Sequence, residues 1–282
     1  MDNGAISVAV HPSRRFAFVT NGSANVHGEA TNVPANSVSV YSLDSVTGDI
    51  SGPTDTQPVN GNPVAVVVHP TGKFIYVVNE VRFGGTIGNI SVFGIDPTTG
   101  ALMPEGTTAD LGGAPATALA FAPSGKFAYV TYLPPDPQNN GNFDTVKTYA
   151  VSTTTGLFSS TLIGTAPTGN NPWAIAVTPG GHFAYVASLG TQGSVSELAA
   201  YTIDQSNGTL ALITSYDMQG AQPASLAMDS MGRFLYVGRQ QPTSNRNLEV
   251  YQINASNGTF ECQRRRVGRS YYQSAGRHRL PQ

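Results

Sequence analysis

Apolar residues alternate with small or polar ones in short bursts along this chain, and the bursts return in the same order. FAFVTN at residues 16–21 recurs as FIYVVN at 74–79, FAYVTY at 127–132, FAYVAS at 183–188 and FLYVGR at 234–239. The leading phenylalanines stand 58, 53, 56 and 51 positions apart. That period is too long for a helical solenoid repeat and fits four strands plus four turns.

Each unit opens with an alternating run predicted as strand A: PVAVVVH at 63–69, PATALAFA at 115–122, PWAIAVT at 172–178 and PASLAMD at 223–229, with residues 5–10 as the counterpart in the first unit. A turn such as Ala122-Pro123-Ser124-Gly125 follows, Pro presetting φ and Gly taking the position where φ turns positive. Strand B is the Phe-x-Tyr-Val run. In it Phe74, Tyr76 and Val78 share one face while Ile75 and Val77 share the other, so both faces need cover from neighbouring units. Strand C follows a variable loop, as in SVSVYSL at 37–43 and NISVFGI at 89–95, and then an Asx and Gly turn leads into strand D. No longer segment keeps a helical period. The chain is predicted to be all-β, one continuous array of about five four-stranded antiparallel blades over residues 1–260 in units of 1–58, 59–111, 112–167, 168–219 and 220–260.

Composition narrows the function classes. Charged residues make up 11% of the 282 positions and the formal net charge is −2, which gives no electrostatic case for nucleic acid. The lone Cys262 excludes an internal disulfide and a cysteine-based zinc site, and no apolar run is long enough to span a bilayer. No signal peptide is visible, while the scarcity of lysine among many Thr, Ser and Asn leans toward an exported bacterial surface whose export signal lies upstream; otherwise the chain is cytoplasmic. From Glu261 the alternation stops, and Arg264, Arg265, Arg266, Arg269, Arg277 and Arg279 supply half of the arginines. A basic binding tail is one reading, and an aberrant terminus where strand D of the fifth unit belongs is the stronger one.

The Gly-Lys-Phe-x-Tyr-Val-x-Asn strand at 72–79, the Ser-Val-x-Val-Tyr strand at 37–41 with its counterpart at 91–96, and the Thr-Gly turns at 47–48 and 99–100 resemble the lactonase-type seven-bladed β-propeller family. That family contains bacterial 6-phosphogluconolactonase and the fungal carboxymuconate cyclases. The resemblance covers about nine-tenths of the chain and implies a propeller in which the starts of strand A and the B-to-C loops share one rim. Seven units are expected of the family and five are seen, so the chain reads as a truncated homologue with exposed terminal faces open to self-association; a compact five-bladed closure is the alternative.

The rim so implied holds Asn3, Asn62, Asn171 and Gln222 before strand A, and Asn21, Asn79, Glu80, Arg82, Tyr132, Ser188, Arg239 and Gln240 after strand B. The resemblance implies a metal-independent lactone hydrolase without a cofactor, acting on a small lactone such as 6-phosphogluconolactone. Glu80 is its candidate for orienting water, with Asn79 beside it, Arg82 or Arg239 holding an anionic group or the oxyanion, and Trp173 stacking on a sugar ring. The Gly-Pro-Arg-His run of the active lactonase has no equivalent here, where strand A starts read Gly61-Asn62-Pro63, Gly113-Ala114-Pro115, Asn170-Asn171-Pro172 and Ala221-Gln222-Pro223. Two other classes therefore stay open: a non-catalytic exported propeller binding a protein or glycan, and an inert product. His11, His69 and His182 read as turn or surface residues, His27 and Glu29 are too few for a metal site, and the Asn-Gly-Thr runs at Asn207 and Asn257 read as hairpin turns.

Overall fold

A computed structural model describes residues 3–23, 36–80, 88–107, 116–132, 144–190, 195–219, 221–239 and 247–262. These form five antiparallel sheets, each built from four strands in chain order. Blade 1 comprises β1 (Asn3–Val10), β2 (Phe16–Ser23), β3 (Ser37–Leu43) and β4 (Ile50–Pro58); blade 2 comprises β5 (Asn62–Val68), β6 (Phe74–Glu80), β7 (Asn89–Ile95) and β8 (Leu102–Thr107). Blade 3 holds β9 (Ala116–Phe121), β10 (Phe127–Tyr132), β11 (Thr145–Val151) and β12 (Phe158–Pro167); blade 4 holds β13 (Pro172–Val177), β14 (Phe183–Ser188), β15 (Glu197–Ile203) and β16 (Leu210–Asp217). Blade 5 ends the series with β17 (Pro223–Met228), β18 (Phe234–Arg239), β19 (Leu248–Ile253) and a three-residue β20 (Phe260–Cys262). The fold is an all-β propeller of four-stranded blades with no helix among the described residues. The arginine-rich tail falls outside them.

The double-sided apolar pattern of strand B is what stacks the blades. Phe74, Tyr76 and Val78 pack into the cluster shared with blade 3, while Ile75 and Val77 pack into the one shared with blade 1. The first strands follow one another around the array, β1 against β5, β5 against β9, β9 against β13 and β13 against β17.

A second contact repeats at every junction. The glycine of each C-to-D hairpin lies under the leading phenylalanine of the blade before it: Gly100 under Phe16, Gly156 under Phe74, Gly208 under Phe127 and Gly258 under Phe183. A Cβ at Gly100 or Gly208 would sit 2.5 Å from that ring, and at Gly156 2.8 Å. All four glycines also have positive φ. Tyr76 adds a hydrogen bond from its hydroxyl to the Gly156 carbonyl at 2.5 Å, and Tyr185 does the same to Gly258 at 2.9 Å.

Beside this contact, the A-to-B turn makes its own lock. His69 donates from Nε2 to the Gly125 carbonyl of the next blade at 2.9 Å, while its Nδ1 accepts the Thr71 hydroxyl at 2.7 Å, which fixes the neutral tautomer. His11 repeats this on Gly72 at 2.8 Å with Ser13 as its second partner. The sequence placed both histidines in turns or on the surface. His69 is in a turn but fully buried, because the neighbouring blade covers it. In blades 3 and 4, Pro123 and Pro179 pack against Gly181 and Gly232 instead.

Among the described residues, the two outer faces lack these partners. Nothing lies within 4 Å of a Cβ at Gly48, the hairpin glycine of blade 1, and Arg14 takes φ 59° at the turn position where the other blades use glycine. Val8 and Val10 on β1 are 65% and 54% exposed, as is Leu248 on β19 at 58%.

Two outcomes follow. Gly48→Ala meets only the left-handed backbone, at about 1 kcal/mol; Gly156→Ala meets the backbone and the Phe74 ring and loses about 1–3 kcal/mol more, read as the difference between urea midpoints. Burial also holds the His69 imidazole below its ordinary pKa. The unfolded chain therefore takes up the proton first, so stability falls as pH drops below about 6.5. Denaturation at pH 7.5 and 5.5 is expected to show that loss, and His69→Gln to reduce it.

Candidate functional site

Every first strand carries an extra residue where it meets the end of strand B. In register, Asn21 lies opposite Ala5, Asn79 opposite Pro63, Tyr132 opposite Ala116, Ser188 opposite Pro172 and Arg239 opposite Pro223. The bulge residues are thus Ile6, Val64, Thr117, Trp173 and Ala224. A bulge re-aims the chain at the rim of each blade, the usual place for one beside a site. Trp173 therefore occupies a bulge and is partly exposed rather than belonging to a buried apolar cluster.

This rim also concentrates unsatisfied polarity. Of the six buried side-chain polar atoms without a partner among the described residues, five lie here: Asn36 Oδ1, Asn79 Oδ1, Ser188 Oγ, Ser196 Oγ and Arg239 Nε. Only Tyr129 Oη lies elsewhere. Buried polar groups are normally paired, so orphans gathered at one rim mark where water or a ligand group completes the network.

Asn79 donates from Nδ2 to Asn89 Oδ1 and to Ser91 Oγ, both at 2.9 Å, leaving its carbonyl oxygen unused. Asn21 makes the matching pair in blade 1, to Ser37 at 3.1 Å and Ser39 at 3.0 Å. Glu80 is the last residue of β6, opposite Asn62, and its side chain lies outside the described set. Arg82 and Gln240 are likewise outside the described residues.

Arg239 is held differently from the sequence expectation of a free substrate-binding cation. Its Nη2 contacts Glu249 Oε2 at 2.5 Å, with the two side chains only 9% and 14% exposed. The same carboxylate oxygen accepts the Tyr251 hydroxyl at 2.8 Å. Burial and the neighbouring carboxylate push the Tyr251 phenol upward, so it stays protonated and donating. Glu249 carried no motif; its signal was its place on strand C, beside the end of strand B.

A second cluster joins blades 3 and 4. Asp144 Oδ1 accepts the amide of Asn171 at 2.8 Å, and Asn171 sits at φ 61° just before Pro172. Desolvation lifts the Asp144 carboxyl above its ordinary range, although that amide pulls the other way. Glu197 pairs in register with Ser188. The two converge on Gly169, where a Cβ would sit 2.9 Å from Glu197 Cβ and 3.0 Å from both Glu197 Oε2 and Ser188 Cβ. Asp144 and Glu197 were not legible as site residues: Asp144 falls just before a recurring strand C run, and Glu197, the first residue of the next such run, acts through its contact with Gly169 in the segment between blades 3 and 4. No group of three metal-ligating side chains gathers among the described residues, and no helix is long and apolar enough to cross a membrane.

Residues 24–132 and 119–269 match the family model described as lactonase, 7-bladed β-propeller. No curated protein matches the chain. Among solved structures, the Pseudomonas aeruginosa periplasmic gluconolactonase PpgL aligns with TM-score 0.69 at 17% identity, over 92% of this chain and 70% of that one. A candidate 6-phosphogluconolactonase from Bacteroides uniformis aligns with TM-score 0.65 at 18% identity over the same shares, 92% and 70%. A Desulfotomaculum acetoxidans protein of unknown function gives 0.66 at 15%, over 92% and 68%. At such identities the likeness is one of fold. The chain covers about seven-tenths of each of these neighbours.

Removing one partner of the buried pair strands the other. Glu249→Ala is expected to cost about 3–5 kcal/mol, and the double replacement Arg239→Met with Glu249→Leu much less than that, both read by chemical denaturation.

Proposed function

The chain belongs to the lactonase family of seven-bladed β-propellers, and from that premise we propose that it hydrolyses a sugar lactone at the rim where strand B ends. The observation that carries this reading is the concentration of buried, unpartnered polar atoms at that rim, together with the bulge that re-aims each first strand there. The Pseudomonas gluconolactonase and the candidate 6-phosphogluconolactonase among its structural neighbours support the same substrate class.

In this reading a water oxygen adds to the lactone carbonyl carbon and the ring C–O bond breaks. Glu80 takes the water proton and returns one to the departing ring oxygen, giving the aldonic acid. Arg239, its Nη2 committed to Glu249, meets the developing oxyanion through the unpartnered Nε. Arg82 orients the substrate from the adjoining loop, and Trp173 offers its indole to the sugar ring. Asn79 uses its free carbonyl oxygen on a substrate hydroxyl. No metal or cofactor takes part in these steps.

A second reading, a rim that binds a glycan or protein without turning it over, draws on the ion pair that already occupies Arg239 and on the missing Arg-His pair. Turnover separates the two. Glu80→Gln is expected to lower kcat by about 100-fold or more in a lactone assay corrected for spontaneous hydrolysis, with Arg82→Ala acting mainly on KM. Unchanged rates in both variants would remove these assignments, and no turnover by the folded parent chain would favour the binding reading.

A further inference from the structure

Resting on the lactonase reading above, we propose that the substrate is an uncharged, polyhydroxylated lactone and that the rim discriminates against its phosphorylated form. Of the two cationic side chains among the described rim residues, Lys147 packs on an aromatic ring and Arg239 keeps only its buried Nε beyond an ion pair. Arg239 is ion-paired with Glu249 and nine-tenths buried, and the Lys147 ammonium lies 4.6 Å from the centroid of the Tyr132 ring. Against them stand Asp144 and Glu197 at the junction of blades 3 and 4. Neither forms a salt bridge among the described residues. The connecting segments do not reverse the balance: residues 24–35, 81–87, 108–115, 133–143, 191–194 and 240–246 hold three carboxylates, Glu29, Asp110 and Asp136, against two arginines, Arg82 and Arg246, and Glu80 at the end of β6 adds a further carboxylate.

A phosphate at this junction would meet two carboxylates with no uncommitted cation described beside it. One unscreened like charge within about 10 Å weakens binding on the order of tenfold in a partly buried setting. Neutral hydrogen-bonding capacity, by contrast, is in excess. Ser188 and Ser196 are each 1% exposed with hydroxyls lacking a partner among the described residues, and Ser188 lies against Gly169 beside the Glu197 carboxylate. Carboxylates and unpaired hydroxyls together suit the donors and acceptors of a sugar ring.

The test compares kcat/KM for glucono-1,5-lactone and 6-phosphogluconolactone on the full chain at low and moderate salt. The neutral lactone is expected to be preferred by about tenfold or more, with the gap narrowing as salt rises. Asp144→Asn keeps an acceptor oxygen for the Asn171 amide while removing the charge, and it should reduce the preference several-fold. Equal or better turnover of the phosphorylated lactone overturns the proposal. If neither lactone is hydrolysed, the lactonase reading falls on its own, and calorimetry with glucono-1,5-lactam and its 6-phosphate decides the charge selection. Tighter binding of the neutral lactam sustains it; tighter binding of the phosphate, or binding of neither, overturns it.

Discussion

A phenylalanine ring resting on the bare backbone of the next blade's hairpin sets the geometry on which everything else in this protein depends. The contact from Phe16 to Gly100 recurs at three further junctions, and each glycine is required twice, for its positive φ and for the absent Cβ. Close packing of this kind leaves no slack, since a methyl group at the contact must displace either a ring or a strand. The spacing between blades is thereby fixed, and with it the positions at which the strand B ends of successive blades reach the rim.

The two rims are finished by different chemistry. At the A-to-B turns, histidine and proline seal each blade onto its neighbour, and both His69 nitrogens are satisfied. At the other rim Asn21, Asn79, Tyr132, Ser188 and Arg239 occupy equivalent places with different side chains, and the buried orphan atoms collect there. One rim repeats because it serves packing. The other carries four kinds of side chain across the five blades at the equivalent place. That asymmetry is the physical reason for assigning function to the varied rim.

Most of the architecture was legible in the chain. Strand B stands out because both of its faces are apolar and strand C because its run recurs after each variable loop, and their order fixes the blade. The first strands were read to within a residue or two, but the bulges were invisible, since an extra residue in an alternating run leaves no mark until the partner strand is aligned. The site was harder. Asn79 and Arg239 could be placed by repeat position, yet Glu249, two residues beyond the start of a strand C run, and Asp144, at the foot of another, matter through contacts between strands and between blades. The turn position of His69 was read, but its burial was not visible for a related reason: its cover comes from a blade that follows it by more than fifty residues.

The ring-on-glycine contact also has a direction. Each phenylalanine is covered by a hairpin that lies later in the chain, never earlier, so Phe16 waits for Gly100 and Phe183 for Gly258. During synthesis from the N-terminus at about 5–20 residues per second, every blade emerges several seconds before the segment that shields it. The nascent propeller thus always carries one sheet face that its cover has not yet reached.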